Sequence, residues 1–448
     1  MNFKHLVPVI LGPALLALSL HPWEDGGILR TRTAGVPPAS GKQTPTATEP
    51  AGRQRNEEAD LFIAGDFSGY LSPCGCFKPM IGGIRRLATA IKTHDKSGKA
   101  VFIANGALVK TNGRQDEIKA ETLAEALKSM NVAAVGLTAD DVQLGPGNVA
   151  SLARLSGNKL VSGSLAQSDL PIALEKGPFL FGSASMRAGV IAERLSTQPV
   201  PPEKVAESLV EEAKQADKVP VLLFDGNEEA ARTIAAKTPG LKLLIFRASS
   251  RPAEKIEKVD ECVLISPSER GKFLVKLTWT GREFQTPTVI ELGPEHKDDV
   301  VATRLFKNYV ERVKGENLLD RVPREASAPF AGSQACASCH SDAYEVWKNS
   351  AHAHALATLE KEGQDRDPDC TGCHVVGLTS KGGFISRKET PKLTDVGCES
   401  CHGPGAEHVE KPTEMPMKKV GRFSCLKCHV PDHSPGFSFQ AAWDKIKH

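Results

Sequence analysis

Four copies of one five-residue pattern constrain this chain more than anything else in it. Cys-x-x-Cys-His occurs as CASCH (Cys336, Cys339, His340), CTGCH (Cys370, Cys373, His374), CESCH (Cys398, Cys401, His402) and CLKCH (Cys425, Cys428, His429), all within 94 residues. Two cysteines three apart can each form a thioether to a haem vinyl group. The histidine that follows then lies under the ring and offers a nitrogen to iron. A zinc ribbon or an iron–sulfur site also uses paired cysteines, and an exported chain would permit disulfides. None of these gives a reason for a histidine directly after every second cysteine. The pattern implies four covalently attached c-type haems.

The surrounding composition points the same way. Between Ala331 and His448 only 18 of 118 residues are Leu, Ile, Val or Phe, about 15%, where an ordinary globular domain needs more than roughly 20%. Four large apolar macrocycles would supply most of the missing core, so this segment is expected to be unfolded without them. Apart from the motif histidines it holds His352, His354, His408, His433 and His448. Five spare histidines for four irons point to mostly bis-histidine ligation, which suits one-electron exchange because nothing dissociates. Met415 and Met417 are the other conceivable iron ligands and read as loop residues.

The first 58 residues read as export machinery and tether. Lys4 and His5 precede an apolar run from Leu6 to Leu20 interrupted by Pro8 and Pro13. A spanning helix needs about 20 apolar residues, so residues 1–21 are expected to be a signal peptide and the mature chain periplasmic or otherwise extracytoplasmic. Membrane association would then require an uncleaved leader. Residues 22–58 are rich in Pro, Thr, Gly and Ala, the composition of a flexible linker.

Residues 59–325 alternate apolar strand signals with helical ones: ADLFIAG, IGGIRRLATAIKTH, KAVFIAN, DEIKAETLAEALKSMN, VAAVGL, then EKVAESLVEEAKQAD, VPVLLF, EEAARTIAAKT and LKLLIF. Strands separated by helices of this length imply parallel pairing and an α/β layered domain. KFLVKLTWTGREFQTPTVIEL reads as a hairpin, and a long helix is expected from about Lys297 to Asp320. The cytochrome segment, 331–448, is expected to be small and mainly α or irregular.

Gln334–His448 resembles the tetrahaem cytochrome domain typified by the electron acceptor of hydroxylamine oxidoreductase. The likeness lies in CASCHSDAYEVWKNSAHA, VGCESCHGPGAEHV and CLKCHVPDHSPGFSFQAAWDKIKH. It implies His340, His374, His402 and His429 as proximal ligands and His352, His408 and His448 as distal ones. Either His354 or His433 would serve the fourth iron. Some members of that family leave one haem five-coordinate, which gives the alternative function, a haem-based redox enzyme acting on a small nitrogen or sulfur species.

Residues 60 to about 295 are similar to calcineurin-like metallophosphatases of the 5′-nucleotidase type, through LFIAGDFSGYLSPCGCFKPMIGGIRRLATAI, AAVGLTADDVQLG and VLLFDGNEEAARTIAAKTPGLKLLIF. That family holds two metal ions with Asp-x-His, Gly-Asp and Asn-His motifs and two later histidines, and two metals are needed for its hydrolysis. Here those positions read Asp66-Phe67-Ser68, Asn105-Gly106-Ala107 and Thr138-Ala139-Asp140-Asp141, and the later LLFDGN and IFRASS segments have no histidine. Asp66, Asn105, Asp140 and Asp225 alone make a poor dinuclear site. No metal and no phosphatase activity are expected, and no catalytic residue is assigned. Cys74 and Cys76 could bind a metal, exchange with Cys262, or be structural.

Basic and acidic residues number 56 and 54, a balance that gives no reason to expect a nucleic-acid partner. The expected partners are redox proteins, with self-association left open. The chain reads as an electron-transfer protein rather than an enzyme.

Overall fold

In the computed structural model the described residues are 57–73, 80–430, 433–434 and 436–448. The expected leader, nearly all of the tether, and Cys74 and Cys76 lie outside them. No helix among the described residues is long and apolar enough to cross a membrane.

Two six-stranded sheets form the centre of the α/β part. The first contains β1 (Ala59–Gly65), β2 (Val101–Asn105), β3 (Ala134–Gly136), β4 (Leu160–Val161), β11 (Phe273–Trp279) and β12 (Thr288–Glu291), in the order β12-β11-β1-β2-β3-β4. The second contains β5 (Ala173–Lys176), β6 (Phe179–Ser185), β7 (Val219–Asp225), β8 (Leu243–Ile245), β9 (Glu257–Val259) and β10 (Cys262–Ile265), in the order β5-β6-β7-β8-β10-β9. β1 to β4 pair in parallel, as do β6, β7, β8 and β10, whereas β11 and β12 extend the first sheet, and β5 and β9 the second, by antiparallel pairing.

Alternation along the strands explains the layering. Leu61, Ile63, Val101, Ile103, Val219, Val221 and Leu223 point into one core shared by the two sheets. Their neighbours Phe62, Ala64, Phe102 and Ala104 face α1 (Ile84–His94), α2 (Arg114–Ser129), α3 (Pro146–Leu155) and α7 (Val300–Gly315). Leu222 and Phe224 face α5 (Pro202–Gln215) and α6 (Glu228–Lys237), while α4 (Ala188–Arg194) packs with the first group. The result is four layers, helix–sheet–sheet–helix. Both faces of the central strands are buried, which is why their sequences read as unbroken apolar runs.

The expected strands and helices are present, and the hairpin forms with Phe273 opposite Glu291. The long helix is shorter than the sequence suggested. Asp299 caps it by accepting from Val301 and Ala302 N–H (2.9 and 3.0 Å), and it ends at Gly315 because Asn317 adopts φ 51°. A separate 3₁₀ turn, Leu318–Arg321, follows.

The cysteine-rich part is made of short helices around a small apolar core: Leu319, Phe330, Leu356, Leu359, Val375, Val376, Leu378, Phe384 and Leu393. It is stitched to what precedes it by Glu325 N–H donating to the Thr379 carbonyl (2.8 Å) and by Arg324 donating to the Phe384 carbonyl (2.8 Å).

Candidate functional site

Each Cys-x-x-Cys-His pattern sits on a helical turn. The turns are Ser333–Cys336, Pro368–His374, Cys398–His402 and Arg422–Cys425. His340 and His429 continue theirs by donating backbone N–H to the Cys336 and Cys425 carbonyls, both at 2.9 Å. Residues i, i+3 and i+4 share one face of a turn, so two thiols and one imidazole project together, as attachment of a single ring requires. The motifs lie in two pairs. Cys336 of the first is hydrogen-bonded to Cys398 of the third, and Cys428 of the fourth to Cys373 of the second. The first contact pushes the Cys398 thiol down to about 6 and the Cys336 thiol up. These are the protons that thioether formation would remove.

Three motif histidines face three spare ones. Ring centroids are 6.3 Å apart for His340 and His408, 6.2 Å for His352 and His429, and 6.0 Å for His402 and His448. Two metal–nitrogen bonds of about 2 Å, with the ring half-widths added, separate imidazole centres by about 6 Å. Burial and the neighbouring His429 lower the pKa of His352, and burial lowers that of His429, so both favour the neutral form that ligation needs.

In five of the histidines Nδ1 is engaged. Nδ1 of His374 lies 2.7 Å from the Ala355 carbonyl, that of His402 3.0 Å from the Lys418 carbonyl, that of His408 2.9 Å from the Met415 carbonyl, and that of His448 3.0 Å from the Ile446 carbonyl. His429 Nδ1 lies 3.2 Å from Ser434 Oγ. A carbonyl at Nδ1 fixes the tautomer in which Nδ1 carries the proton and leaves Nε2 as the metal-binding nitrogen. Met415 thus takes part through its backbone. His354 is exposed and His433 half-buried.

Helices Ser341–Lys348 and Phe439–Ile446 bury no side chain against protein, yet carry the paired rings Tyr344 and Trp347 (5.3 Å) and Phe439 and Trp443 (5.7 Å). Glu399, inside the third motif, is a residue whose role the sequence did not reveal. Buried at 4% exposure, it accepts from the N–H groups of Ala331 (2.9 Å), Gly332 (2.7 Å) and Gly405 (2.7 Å). It thereby ties the start of the first motif to the loop that leads to His408. Gly403, at φ 87°, turns the chain into that loop in a region that favours glycine.

The α/β part brings together the four residues expected there. Asp66, Asn105, Thr138–Asp140 and Asp225 all lie at the C-terminal ends of β1, β2, β3 and β7. Two arginines at the ends of β6 and β8, not foreseen from the sequence, close on them. Arg247 donates to Asp66 (3.0 Å), Asp140 (2.8 Å) and Asp225 (2.7 Å), and Arg187 donates to Asp140 (2.9 Å) and Asp225 (3.2 Å). Burial would raise the Asp140 carboxyl, but the hydrogen bonds from Arg187 and Arg247 outweigh it and hold it below its ordinary value. Asp225 also accepts from Ser185 Oγ (2.7 Å) and Ala139 N–H (2.9 Å), and Asn105 donates to the Ile245 carbonyl (3.0 Å). The carboxylates are committed to guanidinium groups, which does not suit a pair of divalent cations. Cys262 is buried in β10, and burial pushes its thiol up to about 12, a poor setting for thiolate exchange.

Residues 335–403 match the family described as cytochrome c554 and c-prime. The chain is 44% identical over 95 residues to cytochrome c-554 of Nitrosomonas europaea, a stretch equal to 18% of this chain and 40% of that protein. It therefore spans well under half of the curated relative it matches. These matches support a multihaem c-type cytochrome for the C-terminal part. The α/β part is similar to metallophosphatase structures. A 5′-nucleotidase precursor of Thermus thermophilus matches at 16% identity and TM-score 0.49, over 68% of each chain. Sulfate thiohydrolase SoxB of the same organism matches at 15% identity and TM-score 0.48, over 57% of this chain and 61% of that one.

Proposed function

We propose that the chain is an exported tetrahaem c-type cytochrome that relays electrons between redox proteins. The carrying observation is the set of three histidine pairs at 6.0–6.3 Å, each joining a motif histidine to a spare one from a distant part of the sequence. On this reading Cys336/Cys339, Cys370/Cys373, Cys398/Cys401 and Cys425/Cys428 hold the four haems. His340 and His408 ligate the first iron, His402 and His448 the third, and His429 and His352 the fourth. His374 is proximal to the second iron, with His354 or His433 opposite. The haem group itself supplies one-electron chemistry; the chain supplies attachment, ring orientation, and the carbonyls that hold the imidazoles of His374, His402, His408 and His448. Iron kept six-coordinate by two histidines exchanges electrons without losing a ligand, which suits relay rather than turnover.

Export follows from the Lys4-His5 and Leu6–Leu20 arrangement and from the oxidising compartment in which c-type attachment occurs. The α/β part serves as a binding or docking module without a hydrolytic metal pair, because Arg247 and Arg187 already satisfy Asp66, Asp140 and Asp225. Intact-mass measurement of protein matured in a periplasm tests the proposal. Four haem additions and a missing leader are expected; fewer than four additions would refute the tetrahaem assignment. Phosphate-ester hydrolysis stimulated by added Mn²⁺ would refute the docking role of the α/β part.

A further inference from the structure

The helix that carries the second motif is not held like the others. The first and third motifs hold each other: Cys398 N–H donates to Ser333 Oγ (3.1 Å), and Glu399 accepts from Gly332 N–H. The second motif's helix, Pro368–His374, is held by the α/β part. Its N-cap is Asp367, which accepts from the backbone N–H of Asp369 (3.0 Å). The same carboxylate accepts from Tyr309 Oη on α7 (2.8 Å) and from Gln115 Nε2 on α2 (2.7 Å), and Gln115 also donates to Tyr309 Oη (2.8 Å). Beside it, Lys119 of α2 pairs with Asp369, the residue directly before Cys370. Tyr309 and Asp367 are buried, and the Lys119 side chain is 14% exposed.

This is more than adhesion between two surfaces. A cap carboxylate satisfies the orphan N–H groups at a helix start and so fixes where the helix begins. Here that carboxylate is itself fixed by two side chains from α2 and α7, both far earlier in the chain. Thr371, inside the motif and fully buried, donates to the Asp367 carbonyl (2.8 Å), which extends the constraint to the turn between the two cysteines. A ring joined to Cys370, Cys373 and His374 must follow any rotation of this helix. The Lys119 cation and the Asp367 carboxylate, both largely withdrawn from water, act on it through a low dielectric, while Asp369 keeps more than half of its side chain in solvent.

We propose that Gln115, Lys119 and Tyr309 of the α/β part are positioning residues for the second haem, setting its orientation and potential through Asp367 and Asp369. The α/β part is then a tuning scaffold for one haem of four. The inference rests on the tetrahaem reading given above.

The experiment is an EPR-monitored potentiometric titration of the full-length holoprotein, with haem counted in every sample. Wild type is compared with Y309F, K119M and K119R, and H374M identifies the component that belongs to the second haem. K119M removes a positive charge, so the second haem's midpoint should fall while the other three stay put, and K119R should restore it. Y309F should alter the signal or midpoint of that same component alone. Y309F keeps the ring and removes only the hydroxyl, so it decides the matter by itself if K119M matures poorly. Four unchanged components in Y309F, at four haems per chain, would overturn the inference and leave the tetrahaem reading intact. A wild-type count below four would instead overturn the reading beneath it.

Discussion

His352 and His429 face each other with ring centroids 6.2 Å apart, although one belongs to the stretch after the first motif and the other closes the fourth. A local fold would not bring them together. What joins them is a chain that wraps back on itself; on the proposed assignment, a histidine before the second motif serves the fourth ring and His448 serves the third.

Removing one distal histidine should therefore affect one iron only. H352A, H408A and H448A are each expected to convert a single, different low-spin iron to a high-spin one, with haem content unchanged. EPR of the three variants checks this, and two variants that altered the same component would break the pairing.

Glu399 offers a stability test within the cytochrome part. It accepts from three backbone N–H groups in a buried setting, and hydrogen bonds to a charged group are worth about 1.5–3 kcal/mol each. E399A should cost about 3 kcal/mol or more, read as a lower denaturation midpoint of the holoprotein. E399Q should cost less, because its oxygen still accepts.

The arginines of the α/β part differ in burial, and their substitutions should differ with it. Arg247 is 19% exposed and contacts three carboxylates. R247M leaves buried charges uncompensated and should destabilise by about 3–5 kcal/mol. Arg187 is 40% exposed, so R187M should cost only about 1 kcal/mol. Urea unfolding followed by tryptophan fluorescence measures both.

Asp141 gives a pH dependence of defined sign. It is fully buried, and although Thr138 and the Leu108 N–H donate to it, burial raises its pKa from 3.8 to about 6. Between those values the folded state holds a proton that the unfolded state has lost, so this residue's contribution is fully present below about pH 4 and falls away as pH rises through 6. D141N should flatten the stability profile between about pH 4 and 6, as unfolding curves across that range would record.

Much of this was legible in the residues. Alternating apolar runs such as Leu61–Ala64 and Val219–Phe224 located the central strands, because a strand buried on both faces has nowhere to place a polar side chain. The motif spacing marked the four helical turns on which the paired thiols and their histidines sit. The sequence did not disclose that the strands divide into two facing sheets, since periodicity records burial and not which sheet a strand joins. Arg187 and Arg247 were also missed. IFRASS holds no histidine, but its arginine, two residues past a strand end where carboxylates gather, was the available signal. Glu399, Asp367 and Tyr309 were invisible for a simpler reason: their partners lie far along the chain, and no local pattern marks a long-range polar contact.

Low-temperature EPR on the oxidised, matured holoprotein, with haem counted on the same sample, tests the central claim most directly. Four haems per chain are expected, with every iron low-spin and unchanged by cyanide or nitric oxide. A stoichiometric high-spin signal that shifts when either ligand is added would contradict it and reveal an iron open to substrate.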